Sequence, residues 1–299
     1  MPIDAIVVGK TGQLARALAR RPTIRGWTLR FYDRSAIDLA DAKAVQERIE
    51  AERPDIVINA AAYTAVDAAE SDEAQAMRVN GDGAGALARA CAKIGAPLVH
   101  VSTDYVFDGE TPGRYRVNAP RNPQSAYGRS KASGEIQVLE SGANAAILRT
   151  SWVYAADGAN FLRTMLKLAE TRDEISVVHD QIGAPTWSVD LADAVLAAAQ
   201  RLVQHAPEAR GIFHFAGAGE ATWALFAEAI FEEARARGWP AATVKRITTA
   251  EFPRPAKRPA NSLLDLKPFE QTFGLAARHW REALRLCMSE IADPQANRG

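Results

Sequence analysis

Apolar positions in the first half of the chain come in short unbroken runs, separated by longer stretches where they recur every three or four residues. Ala5-Ile6-Val7-Val8, Asp55-Ile56-Val57-Ile58-Asn59, Pro97-Leu98-Val99-His100-Val101 and Ala145-Ala146-Ile147-Leu148-Arg149-Thr150 are apolar on nearly every side, as strands covered on both faces must be. Trp27-Thr28-Leu29-Arg30-Phe31-Tyr32 is a further strand of more mixed character. The intervening stretches predict helices: one to about Arg21, stopped by Pro22 and Gly26; one opened by Asp38-Leu39, with Asp38 as N-cap, and closed by Pro54; one through Ala74 to Asn80; one from Ala84 to Ile94; and one holding Tyr127 and Lys131. Strand and helix alternating in this way predict a parallel, doubly wound sheet.

From about Asn160 the pattern changes to longer helices and loops. Helices are expected over Phe161–Leu168, Leu191–Val203, Thr222–Arg237 and from about Ala276, with one strand at Ile212-Phe213-His214-Phe215. The pattern predicts an α/β fold: a Rossmann-type doubly wound parallel sheet, expected over residues 1–150 and also receiving 188–216, with a smaller C-terminal α/β region over most of 151–299. No internal repeat or low-complexity linker separates the halves.

Length and composition support a folded globular protein, since 299 residues with 47% hydrophobic content can bury a large core. Basic and acidic residues balance at 36 each, so the net charge carries no footprint for nucleic acid or an anionic membrane. No run approaches the eighteen or so apolar residues of a membrane span. The two cysteines, Cys91 and Cys287, lie in apolar surroundings without Cys-x-x-Cys spacing, which argues against disulfides and zinc and for a cytoplasmic location. His100 falls within a buried strand, and His179, His205, His214 and His279 are scattered without ligand spacing. No metal site is expected.

The candidate chemistry clusters where strands end. Gly9-Lys10-Thr11-Gly12-Gln13-Leu14-Ala15 follows the first strand, and a glycine turn there lets backbone approach a pyrophosphate at a helix N-terminus; tight strand-to-helix turns also use glycine for steric reasons alone. At the end of the second strand Asp33 and Arg34 stand side by side. An acid there suits the ribose 2′-hydroxyl of NAD and an arginine the 2′-phosphate of NADP, so the choice stays open. Ala60-Ala61-Ala62 leaves room for a flat cofactor or for close helix packing. Thr103 leaves a strand at the same sheet edge, where its hydroxyl either meets a substrate carbonyl or stabilises the turn. Tyr127-Gly128-Arg129-Ser130-Lys131 puts a phenol and an ammonium one helical turn apart. A cation so placed is expected to lower the phenol's pKa towards the working range.

Together with Asn59-Ala60-Ala61-Ala62-Tyr63-Thr64-Ala65-Val66-Asp67, Ser102-Thr103-Asp104-Tyr105-Val106-Phe107, Arg149-Thr150-Ser151-Trp152-Val153-Tyr154, Asp180-Gln181-Ile182-Gly183-Ala184-Pro185-Thr186 and Arg258-Pro259-Ala260-Asn261-Ser262, these stretches resemble the extended short-chain dehydrogenase/reductase family, and within it the reductases of dTDP-linked 4-keto sugars. The resemblance implies reduction, by NADPH or NADH, of the C4 ketone of dTDP-4-dehydro-6-deoxy-L-mannose to dTDP-L-rhamnose, a precursor of lipopolysaccharide or cell-wall polysaccharide. It implies that Tyr127 protonates the C4 oxygen, Thr103 hydrogen-bonds it, and Lys131 tunes Tyr127 and holds the nicotinamide ribose. Gly9, Thr11, Gly12, Gln13 and Leu14 are the implied pyrophosphate contacts, Asp38 and Leu39 meet the adenine, and Ala60, Ala61 and Tyr63 the rest of the cofactor. Val66, Asp104, Tyr105, Phe107, Trp152, Pro185, Thr186, Arg258 and Asn261 are implied on the substrate side.

Trp152 can pack on a deoxysugar or belong to a core, and Arg258 can bind a diphosphate or be a surface arginine. Ala15 replaces the third glycine of the turn and is small enough for close packing. Magnesium, which some relatives hold between subunits, is doubtful here: Val189 stands where a carboxylate would be sought, and the Ser289-to-Pro294 tail has few. Monomer and homodimer both stay open. The competing functions are a reductase or epimerase of another nucleotide sugar, or a non-catalytic nucleotide-binding regulatory subunit; retention of Thr103, Tyr127 and Lys131 together speaks against the last.

Overall fold

The computed structural model describes residues 2–21 and 24–291; Pro22, expected to stop the first helix, and the tail beyond Ile291 lie outside them. The chain runs β1 (Ile3–Val8), α1 (Gln13–Arg20), β2 (Trp27–Tyr32), α2 (Ala42–Glu52), β3 (Ile56–Asn59), α3 (Val66–Ala69), α4 (Glu73–Met77), α5 (Gly83–Ile94), β4 (Leu98–Thr103), α6 (Ala126–Glu140) and β5 (Ala145–Thr150). It continues through β6 (Val153–Tyr154), α7 (Phe161–Ala169), β7 (Glu174–Val178), β8 (Ile182–Gly183), β9 (Thr186–Trp187), α8 (Ser188–Val203), β10 (Gly211–His214), β11 (Ala221–Thr222), α9 (Trp223–Ala236), β12 (Thr243–Ile247), α10 (Lys267–Phe273) and α11 (Trp280–Ser289).

Six parallel strands form the main sheet in the order β2-β1-β3-β4-β5-β10. Alternate side chains of each strand point to opposite faces, which divides the apolar runs between two layers. Ala5, Val7, Ile56, Ile58 and Leu148 pack with α1, α8 and Phe269 of α10, whereas Ile6, Val8, Val57, Leu98 and Ile147 pack with α2, α5 and Val138 of α6. The expected doubly wound α/β fold is present. A second core joins α7, α9 and α11, and β7 and β12 pair in parallel beside it. Among the described residues no helix is long and apolar enough to cross a membrane.

Some boundaries differ from those expected. Helix α2 begins at Ala42, because Asp41 rather than Asp38 caps it by accepting from the Ala44 amide at 3.0 Å; the Asp38 carboxylate instead accepts from Ala40 N in the preceding turn. The helices expected to end at Asn80 and begin at Ala84 are joined by a π-helical turn, Arg78–Asp82. Pro268 in the first turn of α10 marks a helix start, yet the loop-rich segment around it hid that helix, and the last helix starts at Trp280 rather than near Ala276. The two-residue strands have no sequence signal of their own.

Candidate active site

β1 has β2 on one side and β3 on the other, so consecutive crossovers leave it in opposite directions. The crevice beyond the carboxyl ends of such strands is where doubly wound sheets bind ligands, and a cleft of ≈ 1620 Å³ opens there. All of the residues singled out from the sequence line it except Phe107, Pro185, Thr186 and Asn261.

At the β1 end, Gly9 has φ +112°, and a Cβ there would stand 3.2 Å from the Ala60 carbonyl carbon. The turn therefore needs glycine for both its conformation and its closeness to β3. Gly12 caps α1 without any side-chain hydrogen bond, which leaves the first amides of the helix open to an anion. Beyond β2, the Asp33 carboxylate accepts from the amide and hydroxyl of Ser35, at 3.0 and 2.5 Å, and these hydrogen bonds hold its pKa below the usual range. Lys10 Nζ lies 4.0 Å from Asp33, and Arg34 pairs with Asp38 at 3.1 Å. The residue set fits a dinucleotide: backbone for the pyrophosphate, and both signs of charge at the adenosine ribose.

Tyr127 enters from the first turn of α6, whose N-cap Ser125 accepts from Gly128 N at 3.1 Å. Lys131 is almost completely buried and donates to the Val101 carbonyl at 2.7 Å. The lowering of the phenol's pKa expected from the helical spacing is not what results. Burial pushes Tyr127 well above its ordinary value, with Asp104 and Tyr105 adding to the rise and only the Thr103 hydroxyl, within hydrogen-bonding reach, opposing it. Burial disfavours the phenolate and the ammonium alike, and no pull from Lys131 offsets it at the phenol; Lys131 itself is lowered to about 8 by burial, with Glu135 opposing. Tyr127 therefore keeps its proton and can only give it. Thr103 donates to Asp104 Oδ1 at 2.9 Å and accepts from Tyr105 N at 3.2 Å. Burial raises Asp104 to about 6, against its hydrogen bonds with Ser262 and Thr103.

On the other wall, Arg258 pairs with Asp67 at 2.8 Å, and Trp152 stacks on Trp223. The four residues outside the cleft support it. Phe107 is buried in a stack with Tyr115, ring centroids 4.3 Å apart, under the Arg149 guanidinium. Thr186, next to Pro185 in a buried stretch, donates its amide to the Trp152 carbonyl at 3.1 Å and accepts from Gly217 N through its hydroxyl at 3.1 Å. Asn261 donates to the carbonyls of Thr111 and Gly113, both at 2.6 Å. Short polar side chains beside irregular backbone are drawn to satisfy it, which is why these two face loops instead of the cleft.

The sequence reading missed three supports. Asn80, in the π-turn, accepts from Tyr63 N and donates to Tyr63 O and Ser130 Oγ, fixing the Tyr63 loop to the helix of Tyr127. Glu135, fully buried one turn beyond Lys131, accepts from Arg149 at 2.8 and 2.7 Å and from Arg121 at 2.6 Å. A signal for this pair existed: Arg149 is a charge inside an apolar strand run, and such a charge requires a buried partner. Trp223 carried no such signal.

A glycine turn, a buried Tyr-x-x-x-Lys pair and a strand-end threonine thus line one cleft. The sequence matches the family described as RmlD substrate binding domain over residues 3–292. The chain belongs to the RmlD substrate binding domain family. Among its relatives, the dTDP-4-dehydrorhamnose reductase of Sinorhizobium fredii is 46% identical, over 93% of this chain and 94% of its own length. The crystal structure of a dTDP-4-dehydrorhamnose reductase from Clostridium acetobutylicum superposes with a TM-score of 0.90 at 38% identity, covering 96% of this chain and 99% of that one. That of Bacillus anthracis, a complex with NADP, gives 0.90 at 35% identity over 97% and 100%.

Proposed function

We infer that this RmlD-family chain is an NAD(P)H-dependent oxidoreductase that reduces the C4 ketone of dTDP-4-dehydro-6-deoxy-L-mannose to dTDP-L-rhamnose, the last step of dTDP-L-rhamnose synthesis. The observation that carries the reading is the convergence of Thr103, Tyr127 and Lys131 on the cleft that also holds the Gly9 turn. The nicotinamide, when bound, supplies the hydride. Tyr127, kept protonated by burial, gives its proton to the C4 oxygen. The Thr103 hydroxyl, which donates to Asp104 in this structure, becomes the second donor to that oxygen by turning its proton from the carboxylate to the substrate. Lys131, fixed on Val101, presents its remaining protons to the cofactor ribose and to Tyr127. Residues 1–150 with 188–216 hold the cofactor and most of 151–299 holds the sugar nucleotide. We place the reaction in the cytoplasm, on the reducing surroundings that suit two cysteines without disulfide spacing.

Purified protein should oxidise NADPH only when the dTDP-linked keto sugar is supplied. Cofactor binding without turnover, or equal turnover of a panel of unrelated nucleotide sugars, sinks the assignment.

Two further results are expected at the cofactor. Because Lys131 in the free enzyme is lowered to about 8, its cation is present below that pH and lost above it, so NADPH binding should weaken as pH rises through about 8. Titration of the NADPH dissociation constant from pH 6.5 to 9.5 checks this, and a flat profile refutes it. Arg34 is exposed and pairs with Asp38, from which it can turn to a 2′-phosphate. Arg34→Ala should raise the KM for NADPH on the order of tenfold and leave that for NADH unchanged; equal effects on both would remove Arg34 from the 2′ position.

A further inference from the structure

Arg16 of α1 lines the cleft beside the glycine turn, and it holds that turn twice. Its amide donates to the Gly12 carbonyl at 3.0 Å, and its guanidinium donates through Nη1 to the Thr11 carbonyl. A helical side chain leans back towards the N-terminus, which is how so long a side chain comes to lie over the turn before its own helix. Both peptide groups that flank Gly12 are therefore fixed by one residue. None of the described peptide bonds is cis, and a trans peptide points its N–H away from its C=O. With the Thr11 and Gly12 carbonyls drawn to Arg16, the amides of Gly12 and Gln13 face the other way, towards the open end of α1 where an anion binds.

The loop between β6 and α7, on the far side of the cleft, braces Arg16 in turn. Arg16 Nε pairs with Asp157 Oδ1 at 3.3 Å, and Nη2 donates to the Asp157 carbonyl at 3.4 Å. Gly158 makes the room: its φ of +73° is left-handed, and a Cβ there would collide with Arg16 Nη2. Asn160, the N-cap of α7, fastens the same loop by donating to the carbonyls of Ala155 and Asp157 at 2.9 and 3.1 Å while accepting from Arg163 N at 3.1 Å. Arg20, one helical turn further along α1, pairs with the same Asp157 carboxylate.

We propose that Arg16 is a positioning residue for the cofactor: braced by Asp157 and Gly158, it sets the Thr11–Gly12 peptide so that the Gly12 amide faces the pyrophosphate of NAD(P)H. The proposal rests on the reductase reading above. The Arg16 and Asp157 side chains are 30% and 37% exposed, and ion pairs so open to solvent add little to stability; the consequence of this one is geometric. An amide already aimed at the anion need not be turned and ordered when the cofactor arrives. The pyrophosphate takes no part in hydride transfer, so loss of the brace appears in cofactor affinity rather than in kcat.

The test is fluorescence titration of the full chain with NADPH, paired with steady-state kinetics at saturating cofactor. Arg16→Ala should raise the NADPH dissociation constant on the order of tenfold, with kcat and melting temperature near wild type. Arg16→Lys, a point charge without the planar fork, should recover only part of that loss. Asp157→Asn and Gly158→Ala keep the arginine but loosen its brace, and each should weaken NADPH binding about threefold. Arg20→Ala removes a partner of the same carboxylate without touching the turn, and should bind NADPH as the wild type does. The double variant Arg16→Ala/Asp157→Asn should be no worse than Arg16→Ala, because Asp157 acts through Arg16. Full recovery in Arg16→Lys, with normal binding in Asp157→Asn and Gly158→Ala, marks a plain charge near the anion and overturns the positioning role. A loss in Arg20→Ala equal to that in Arg16→Ala marks a general tie between α1 and the loop and overturns it as well, as does an unchanged constant in Arg16→Ala. Each of these leaves the reductase reading intact. A wild type that binds no NADPH overturns that reading and the proposal with it.

Discussion

Tyr127→Phe is expected to lower kcat by at least on the order of a hundredfold while leaving NADPH affinity nearly unchanged. The substitution removes one oxygen and keeps the ring, so the edge-to-face contact with Tyr105, centroids 5.4 Å apart, and the burial of the helix start both persist. What disappears is the proton that compensates the charge formed on the C4 oxygen as hydride arrives. Thr103 remains, and one hydroxyl donor still stabilises the oxyanion in part; the loss is therefore large without being complete. Because burial holds the phenol well above its ordinary pKa, the wild type should show no alkaline loss traceable to ionised Tyr127 across the neutral range. Stopped-flow measurement of NADPH oxidation in a single turnover separates this step from product release. Near-normal turnover in the variant would refute the proton-donor role.

The second large effect concerns stability. Glu135→Leu should lower the free energy of unfolding by about 3–5 kcal/mol, the usual cost of removing one member of a buried ion pair. Arg149, 1% exposed, would be left facing an apolar residue, and Arg121 would lose its partner. Glu135→Leu combined with Arg149→Met should recover much of the loss, since two apolar groups of similar volume need no partner. Urea titration of the single and double variants checks this; equal midpoints for wild type and Glu135→Leu would show that the pair carries no such weight. Acid should act in the same place. Burial pushes the Glu135 carboxyl up, but Arg149 and Arg121 outweigh it and hold the pKa below its ordinary 4.5. Its stabilising contribution is complete above that value and disappears as pH falls through the depressed one. Neighbouring His214 is lowered by burial to about 3 from an ordinary 6.5, so the unfolded chain takes up its proton first and stability declines as pH falls through that interval.

The sheet was legible because its strands are buried on both faces and therefore written as unbroken apolar runs; Ile56–Asn59 could hardly be anything else. The Tyr127–Lys131 pair was legible because helical spacing is local. The electrostatics were not, because the spacing records the presence of a cation but not the burial that decides whether it lowers or fails to lower the phenol's pKa. Phe107, Thr186 and Asn261 belong to stretches that resemble substrate-binding ones, yet their side chains satisfy backbone or fill the wall behind, a distinction made by loops whose course no periodicity records. Asn80 escaped notice for a similar reason: a π-turn differs from an α-helix by one inserted residue, and the pattern of apolar positions around it barely changes.

The order in which the chain visits its two cores has a consequence for how such a protein can diversify. After β5 the chain leaves the sheet, returns for α8 and β10, leaves for β11 to β12, returns for α10, and leaves again for α11. The second core is thus built from three separate excursions, the first two of which begin and end beside the parallel sheet. One excursion can lengthen, shrink or exchange its residues without disturbing the register of the parallel strands. New sugar preferences can then arise piecemeal, through changes around Trp152, around Trp223 or around Arg258, in a lineage that never has to reinvent hydride transfer.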